Sequence, residues 1–174
     1  MVYKFCQYID SIIKQNYADE FLDLAAVGIV ADMIDLRNYE TREIISLGLS
    51  RIKNPFLIAF LDKQKDRIKG SLNPTAIAFY IAPYINAITR AGKQEEKMTV
   101  FESMLTFKAY DEIPSTKRGE KGMPEQRVEA ACRYCNNAKS RQTKTRDNNI
   151  ERISKAIEEN NLADFPVLII KMNE

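Results

Sequence analysis

The feature that most constrains the fold of this 174-residue chain is a nearly unbroken apolar run over residues 22–36, LDLAAVGIVADMIDL. A helix through this run is apolar almost all round and is therefore expected to be buried. The run ends on a carboxylate, Asp32. Burial of a carboxylate is costly unless it is paired, hydrogen-bonded or bound to a cation. The sequence therefore predicts Asp32 as a candidate cation ligand at the end of a core helix.

A second segment, residues 81–92 (IAPYINAITRAG), carries polar groups that suit an anion. Asn86, Thr89 and Arg90 lie within four positions of one another, shortly after Pro83. Amide and guanidinium groups at this spacing form a natural cradle for phosphate. A cation ligand and an anion cradle in one chain together indicate phosphodiester chemistry.

The composition excludes several classes of function. Lysine and arginine (26 residues) nearly balance aspartate and glutamate (24), so net charge alone does not attract nucleic acid. The chain has no histidine, which excludes Ser–His and Cys–His nucleophile systems and most transition-metal sites. Its three cysteines, Cys6, Cys132 and Cys135, complete neither a zinc site nor a disulfide framework. We therefore expect free thiols and a cytoplasmic protein, without a signal peptide or membrane span.

Hydrophobic periodicity predicts a mainly α chain. Predicted helices cover residues 2–14, 18–31, 41–52, 56–63, 74–81, 94–106 and 125–161, the last with a candidate break near Asn136. Asn16 is the expected N-cap of the second helix, and Asn54-Pro55 is expected to end the third. Residues 109–124, rich in proline and glycine, are predicted to form a loop, and residues 165–172 a buried β-strand.

These residues carry a resemblance to a known family. LDLAAVGIVADMIDL resembles the fourth motif of the DHH phosphoesterase superfamily, in which a buried helix ends on a metal-binding aspartate. The sharper similarity is to RecJ-type single-strand-specific exonucleases, whose P-R-I-N-A-A-G-R segment resembles APYINAITRAG. The order and spacing of the parts agree over residues 2–104, and residues 149–170 resemble the connector into that family's second domain.

The resemblance implies a domain organisation. Residues 1–108 would be the helical C-terminal part of a DHH-type α/β catalytic domain, and residues 109–124 a basic loop. Residues 125–161 would be the connector helix region, and residues 162–174 the first strand of a truncated second domain. The family's earlier aspartate motifs and its Asp-His-His motif are absent, so the chain would be a fragment, inactive alone. Its partners in cis would be the N-terminal half of the catalytic domain and the second domain.

The resemblance also implies roles for single residues. Asp32 matches the metal ligand, and would supply one catalytic carboxylate to a pair of Mn²⁺ or Mg²⁺ ions. Asn86 and Arg90 match residues beside the nucleic-acid backbone of single-stranded DNA. Tyr84 stands where the family has an arginine, so a phosphate contact is lost or Tyr84 stacks on a base. Charge alone, apart from the resemblance, adds three further candidates for the backbone, Lys117, Arg118 and Lys121. They open a basic stretch over residues 117–146, for which a solvated face is the competing explanation. The Tyr84 departure and the basic loop favour a phage or prophage member.

Structural explanations compete with these roles. Asp32 is compatible with a simple helix-ending turn residue, and Asn86 and Arg90 with a helix end and a surface ion pair. Asp23, nine positions before Asp32, faces nearly the opposite side of a helix and is expected to pair with a buried amide or arginine. For the whole chain, the alternatives are a DHH phosphodiesterase of short oligonucleotides or cyclic dinucleotides, and a non-catalytic helical module. Such a module would bind single-stranded DNA or a replication or repair protein.

Overall fold

The computed structural model describes residues 2–160, and within them the chain is mainly helical, as predicted. The elements in chain order are α1 (Val2–Ile13), a 3₁₀ turn (Ala18–Phe21), α2 (Leu22–Ala31), α3 (Tyr39–Ser50), α4 (Pro55–Gln64), α5 (Pro74–Tyr80), α6 (Ala82–Ala91), α7 (Gln94–Ser103), β1 (Glu112–Pro114), β2 (Pro124–Gln126) and α8 (Arg127–Glu159). The predicted strand at residues 165–172 lies outside the described residues.

Two helices organise the core. Helix α2 packs along α3 and also contacts α5 and α6, while α8 packs on α4, α6 and α7. Gly48 of α3 allows the first contact, because a Cβ there would lie 2.6 Å from the Ala26 Cβ. The largest fully buried side chains come from α4, α5, α6 and α8, with Ile81 between α5 and α6: Phe56, Phe60, Leu57, Ile77, Ile81, Ile88, Val128, Cys132 and Cys135. The fold therefore has one continuous apolar core.

Asparagine side chains begin three successive helices. The Oδ1 atoms of Asn38, Asn54 and Asn73 accept backbone amides in the first turns of α3, α4 and α5. Proline follows Asn54 and Asn73 at the first helical position, where its missing N–H is harmless. The prediction that Asn16 caps the second helix is wrong, because its side chain donates to Asp19 and a 3₁₀ turn precedes α2.

Three further differences separate the fold from the prediction. Residues 82–91, not assigned to an element from the sequence, form α6. The predicted basic loop, residues 109–124, contains β1 and leads into β2, and the two strands pair antiparallel with Ile113 opposite Glu125. Helix α8 runs without interruption through Asn136.

Among residues 2–160, no single helix is both long and apolar enough to cross a bilayer. Helices α3 and α4 would qualify together by length and composition only, and they bend by 78° at their junction.

Candidate metal ligand and nucleic-acid surface

Asp32 lies at the C-terminal end of α2, on the surface. Its backbone N–H donates to the Gly28 carbonyl at 3.0 Å, and the next residue, Met33, has a φ of 52° that ends the helix. The prediction of a buried carboxylate is wrong at this position, because the Asp32 side chain is exposed. Among residues 2–160, no side chain hydrogen-bonds or pairs with it. The carboxylate is thus free to bind a hard cation, which takes oxygen ligands.

The buried carboxylate of α2 is Asp23, at the other end of the helix. It is 2% exposed and accepts the backbone amides of Lys53 at 2.8 Å and Asn54 at 2.7 Å. It also accepts the Leu24 amide at 2.7 Å. The prediction that Asp23 pairs with a buried amide is confirmed. Its role is to join α2 to the segment between α3 and α4.

An apolar hollow adjoins Asp32. It has a volume of about 450 Å³ and is lined mostly by apolar groups of α1, the 3₁₀ turn and α2, such as Cys6, Phe21 and Ile29. Next to it, large apolar side chains are open to solvent, among them Val2 (77% exposed) and Met33 (91%). Contiguous exposed apolar surface of this kind usually marks an interaction site.

The described residues hold no cluster of side chains that would form a metal site on its own. Within residues 2–160, no group of three Asp, Glu, Cys or His side chains could hold a metal ion. Asp32 fits one oxygen ligand of a hard divalent cation and does not form a site by itself. Cys132 and Cys135 are free thiols in the core, and burial raises the pKa of Cys132 to about 12. That thiol stays protonated and is a poor metal ligand.

The three candidate residues of α6 fall on two faces. Asn86 and Arg90 lie one turn apart and share a face, whereas Tyr84 lies about 200° from Asn86 around the helix axis. Arg90 is exposed and forms no ion pair with any described residue. The surface ion pair considered as its structural explanation is therefore not found in this part of the chain. The structure brings Asn86 and Arg90 together and separates Tyr84 from them.

Tyr84 points toward α4 and α8. Its ring packs edge-on against Phe60, with centroids 5.5 Å apart and an interplanar angle of 72°. Its hydroxyl accepts a hydrogen bond from the guanidinium of Arg67, which follows α4. Both line a groove of about 560 Å³ along α8, together with Lys139 and Lys144. Sequence reasoning missed Arg67, because position 67 lies in a polar connection and only the fold brings it to Tyr84.

The basic residues of the β1–β2 connection differ from one another. Lys117 Nζ lies 3.3 Å from Glu120 and 3.4 Å from Glu125, so its charge is largely matched within the hairpin. Arg118 and Lys121 are exposed and have no carboxylate partner among the described residues. Of the three predicted nucleic-acid contacts in this segment, Arg118 and Lys121 thus keep an unmatched charge.

Glu125 is the acidic centre of the hairpin. Its carboxylate accepts hydrogen bonds from Ser115 Oγ at 2.9 Å and from Arg133 at 2.6 Å, and its side chain is 5% exposed. Burial alone raises the pKa of Glu125, but the hydrogen bonds from Arg133 and Ser115 outweigh burial and hold it below the ordinary value. Glu125 therefore remains ionised and ties the hairpin to α8.

Most other arginines of the basic stretch are also paired inside the chain. Arg127 contacts Glu102 and Asp111, Arg141 contacts Glu96 at 2.6 Å, and Arg146 contacts Asp147 at 2.8 Å. The cations of residues 117–146 without a carboxylate partner in the described chain are Arg118, Lys121, Lys139 and Lys144. The apparent excess of positive charge thus reduces to the hairpin tip and one face of α8.

Comparison with known proteins gives relatives that are much longer than this chain. No protein-family model matches it, and no solved structure matches it with significance. The chain is 37% identical over 171 residues to a protein of Bacillus subtilis strain 168 named as the SPbeta prophage-derived single-strand DNA-specific exonuclease YorK. The YorK protein of Bacillus phage SPbeta gives the same identity.

The match covers 98% of this chain and 29% of each YorK protein. A second match, 34% identical over 93 residues, is to the single-stranded-DNA-specific exonuclease RecJ of Bacillus subtilis strain 168, and it covers 52% of this chain and 12% of RecJ. Nearly the whole chain is therefore similar to a segment that makes up less than one third of each YorK protein, and these proteins are named as single-strand DNA-specific exonucleases.

Proposed function

We propose that this chain is part of a metal-dependent exonuclease of RecJ type that hydrolyses phosphodiester bonds of single-stranded DNA. The observation that carries the proposal is the 37% identity over 98% of the chain to the YorK proteins. The chain spans 29% of their length, so it would contribute some of the residues that the reaction needs. By itself it would hydrolyse nothing.

Asp32 is the proposed metal ligand. Its carboxylate is exposed and unpaired among the described residues, which supports this role over that of a structural turn residue. In the complete protein, bound Mn²⁺ or Mg²⁺ would activate water and stabilise charge on the phosphate. Asp32 would hold one such ion in place through a carboxylate oxygen. The other ligands would come from outside this chain.

The polar surface would hold the DNA. Arg90 offers an unmatched guanidinium on the same face as the Asn86 amide, a combination that suits phosphate oxygens. Arg118 and Lys121 at the hairpin tip would add charge from a second place, and Lys117 would contribute less because Glu120 and Glu125 already hold it. This combination would position the sugar-phosphate backbone without reading its sequence.

The apolar surface beside Asp32 is the proposed contact with the rest of the catalytic domain. Val2 lines the hollow together with Asp32, and the exposed residues Phe5 and Met33 directly precede Cys6 and follow Asp32 in the chain. Covering this apolar surface would also shield the metal ligand from water. The YorK proteins are much longer than this chain, and their part outside the matched segment would cover this surface. Replacing Phe5 or Met33 with Asp should weaken co-purification with the remainder of YorK, whereas Phe107→Asp, equally exposed elsewhere, should not.

The decisive experiment is a chimaera in which this chain replaces the matching segment of YorK. Release of nucleotides from labelled single-stranded DNA with Mn²⁺ should be retained, and Asp32→Ala should lower the rate by at least about 100-fold. Asp35→Ala is the matched control, because Asp35 is an exposed carboxylate three residues away that pairs with Arg37. It should leave the rate within about 2-fold, since the change removes only a surface ion pair.

Two results would contradict the proposal. If Asp32→Ala and Asp35→Ala behave alike in an active chimaera, Asp32 is not a metal ligand. If the isolated chain hydrolyses single-stranded DNA robustly with metal and loses this activity on Asp32→Ala, the chain is not an inactive part. A chain that binds single-stranded DNA while its chimaera is inactive would instead support the non-catalytic module.

A further inference from the structure

One polar groove includes Tyr84 but otherwise consists of residues to which the sequence analysis assigned no single role. It lies along α8 and has a volume of about 560 Å³. Its α8 wall is a stripe of amide, hydroxyl and ammonium groups at three- and four-residue spacing, and its opposite wall is made by Arg67 and Tyr84. The residues of the stripe run from position 136 to 148, a length of about 18 Å along the helix axis.

The cations of this groove are unmatched, unlike their neighbours. Arg67, Lys139 and Lys144 have no carboxylate within ion-pair distance among residues 2–160; Lys139 Nζ donates only to the Gln142 side chain, at 3.3 Å. Asp147 is the acidic group that lines the groove, and Arg146 already holds its carboxylate at 2.8 Å. Three free cations that face one hollow repel one another unless an anion joins them.

Tyr84 fixes the position of one of these cations. The Tyr84 ring is held edge-on by Phe60, and its hydroxyl accepts a hydrogen bond from the Arg67 guanidinium. Arg67 is exposed and has no other side-chain partner in the described chain, so this bond orients its remaining N–H donors. The guanidinium of Arg67 is thereby held at the wall of the groove, beside the Tyr84 hydroxyl.

We propose that Arg67, oriented by Tyr84, and the α8 lysines Lys139 and Lys144 form a binding groove for the phosphodiester backbone of a single nucleic-acid strand. The inference deepens the proposed function and rests on it. Hydroxyl and amide groups of Asn136, Ser140 and Thr143 offer further hydrogen bonds to phosphate and sugar oxygens. Arg67 is the phosphate contact, and Tyr84 is its positioning residue.

The test measures binding of a fluorescein-labelled oligo(dT) of about 12 nucleotides to the chain by anisotropy, between 50 and 200 mM KCl. The salt slope of the association constant should lose about 0.7 on Arg67→Ala and about 1.4 on the double change Lys139→Ala/Lys144→Ala. Lys155→Ala is the matched control, since Lys155 lies on the same helix, outside the groove and 3.8 Å from Glu159. Its slope should equal that of the wild type.

Tyr84→Phe separates positioning from packing, because it keeps the ring against Phe60 and removes the hydroxyl. We expect a loss of affinity smaller than that of Arg67→Ala. The double variant Tyr84→Phe/Arg67→Ala should bind like Arg67→Ala alone, because the two residues act through one contact. Additive losses would overturn the positioning role of Tyr84.

The outcomes distinguish this inference from the proposed function. If the wild type binds with a steep salt slope and neither Arg67→Ala nor the double lysine change reduces it, the groove is overturned. In that case the proposed function stands, and the double change Arg118→Ala/Lys121→Ala should reduce the salt slope instead. If the wild type shows no salt-dependent binding of oligo(dT), both the groove and the proposed DNA contacts are contradicted.

Discussion

Asp23 and Asp32 lie at opposite ends of one helix, and the chain treats them in opposite ways. Asp23 is buried and accepts amide hydrogen bonds from Lys53 and Asn54, so its charge is satisfied inside the fold. Asp32 is exposed and has no side-chain partner among the described residues. The position of a carboxylate in an apolar run therefore does not reveal its role. What distinguishes a structural carboxylate from a free one is the set of donors that the rest of the fold aims at it.

The largest loss of stability is expected for a change at the buried carboxylate of α2, Asp23. Asp23→Ala leaves the Lys53 and Asn54 amides without their acceptor, and should lower the free energy of unfolding by about 3 kcal/mol. Urea denaturation of the purified chain measures this change. Asp23→Asn keeps one side-chain oxygen as an acceptor and should lose less. A loss of under about 1 kcal/mol for Asp23→Ala would mean that the amides find other partners.

The next largest loss of stability is expected at a second buried carboxylate, Glu125. Glu125→Ala removes the acceptor of Arg133 and Ser115, and should lower the free energy of unfolding by about 2 kcal/mol. The matched control is Glu120→Ala, which removes an exposed partner of Lys117 in the same hairpin and should change stability by less than about 0.5 kcal/mol. Equal effects in the two variants would show that burial of Glu125 does not matter.

The pH dependence sharpens the same contrast. The hydrogen bonds that hold the pKa of Glu125 below its ordinary value stabilise the fold above about pH 4.3, the unfolded value. This contribution is lost as the pH falls through the lowered folded pKa. Glu125→Gln lacks this contribution at every pH. The difference in the free energy of unfolding between wild type and variant should therefore narrow as the pH falls from 6 to 3. Urea denaturation at both pH values measures the gap, and a constant gap would contradict the assignment.

The smallest effect is expected at the open end of α2. Asp32→Ala removes an exposed side chain without a described partner, and should change the free energy of unfolding by less than about 0.5 kcal/mol. The same urea assay serves for the measurement. A loss comparable to that of Asp23→Ala would make Asp32 structural, and would remove the distinction between the two carboxylates.

Local signals made much of the fold predictable from the sequence. The start of α5 at Asn73-Pro74 depends on a side-chain cap and on the fixed φ of proline, which act over a few residues. Asn54-Pro55 is predicted to end the third helix, and the same two signals instead begin α4. The periodicity of residues 2–13 likewise gave α1 within one residue of its end. By contrast, β1 and β2 are only three residues long, too short to show a period of two, and their residues pair across ten to fourteen positions.

The candidate site was predictable only in part. Asp23 could be assigned to a buried amide because helical spacing turns it away from Asp32, but its donors in the 53–54 segment lie thirty positions away. The contact between Arg67 and Tyr84 spans seventeen positions and depends on how α4 and α6 pack. The pairing of Arg133 with Glu125 also depends on the hairpin fold. The sequence shows how many charges exist, whereas the fold decides which of them remain unmatched.

Helix α8 is fixed in the core at its N-terminal end only. Its buried residues all lie between Val128 and Ala138, so the core clamps the first third of the helix. The remaining residues, to Glu159, continue for about 32 Å without another buried side chain. The number of residues between Ala138 and Glu159 therefore sets the distance and direction of Glu159 relative to the core. Deleting one of them would shift Glu159 by about 1.5 Å and turn it by about 100°, whereas deleting four would nearly restore its angle.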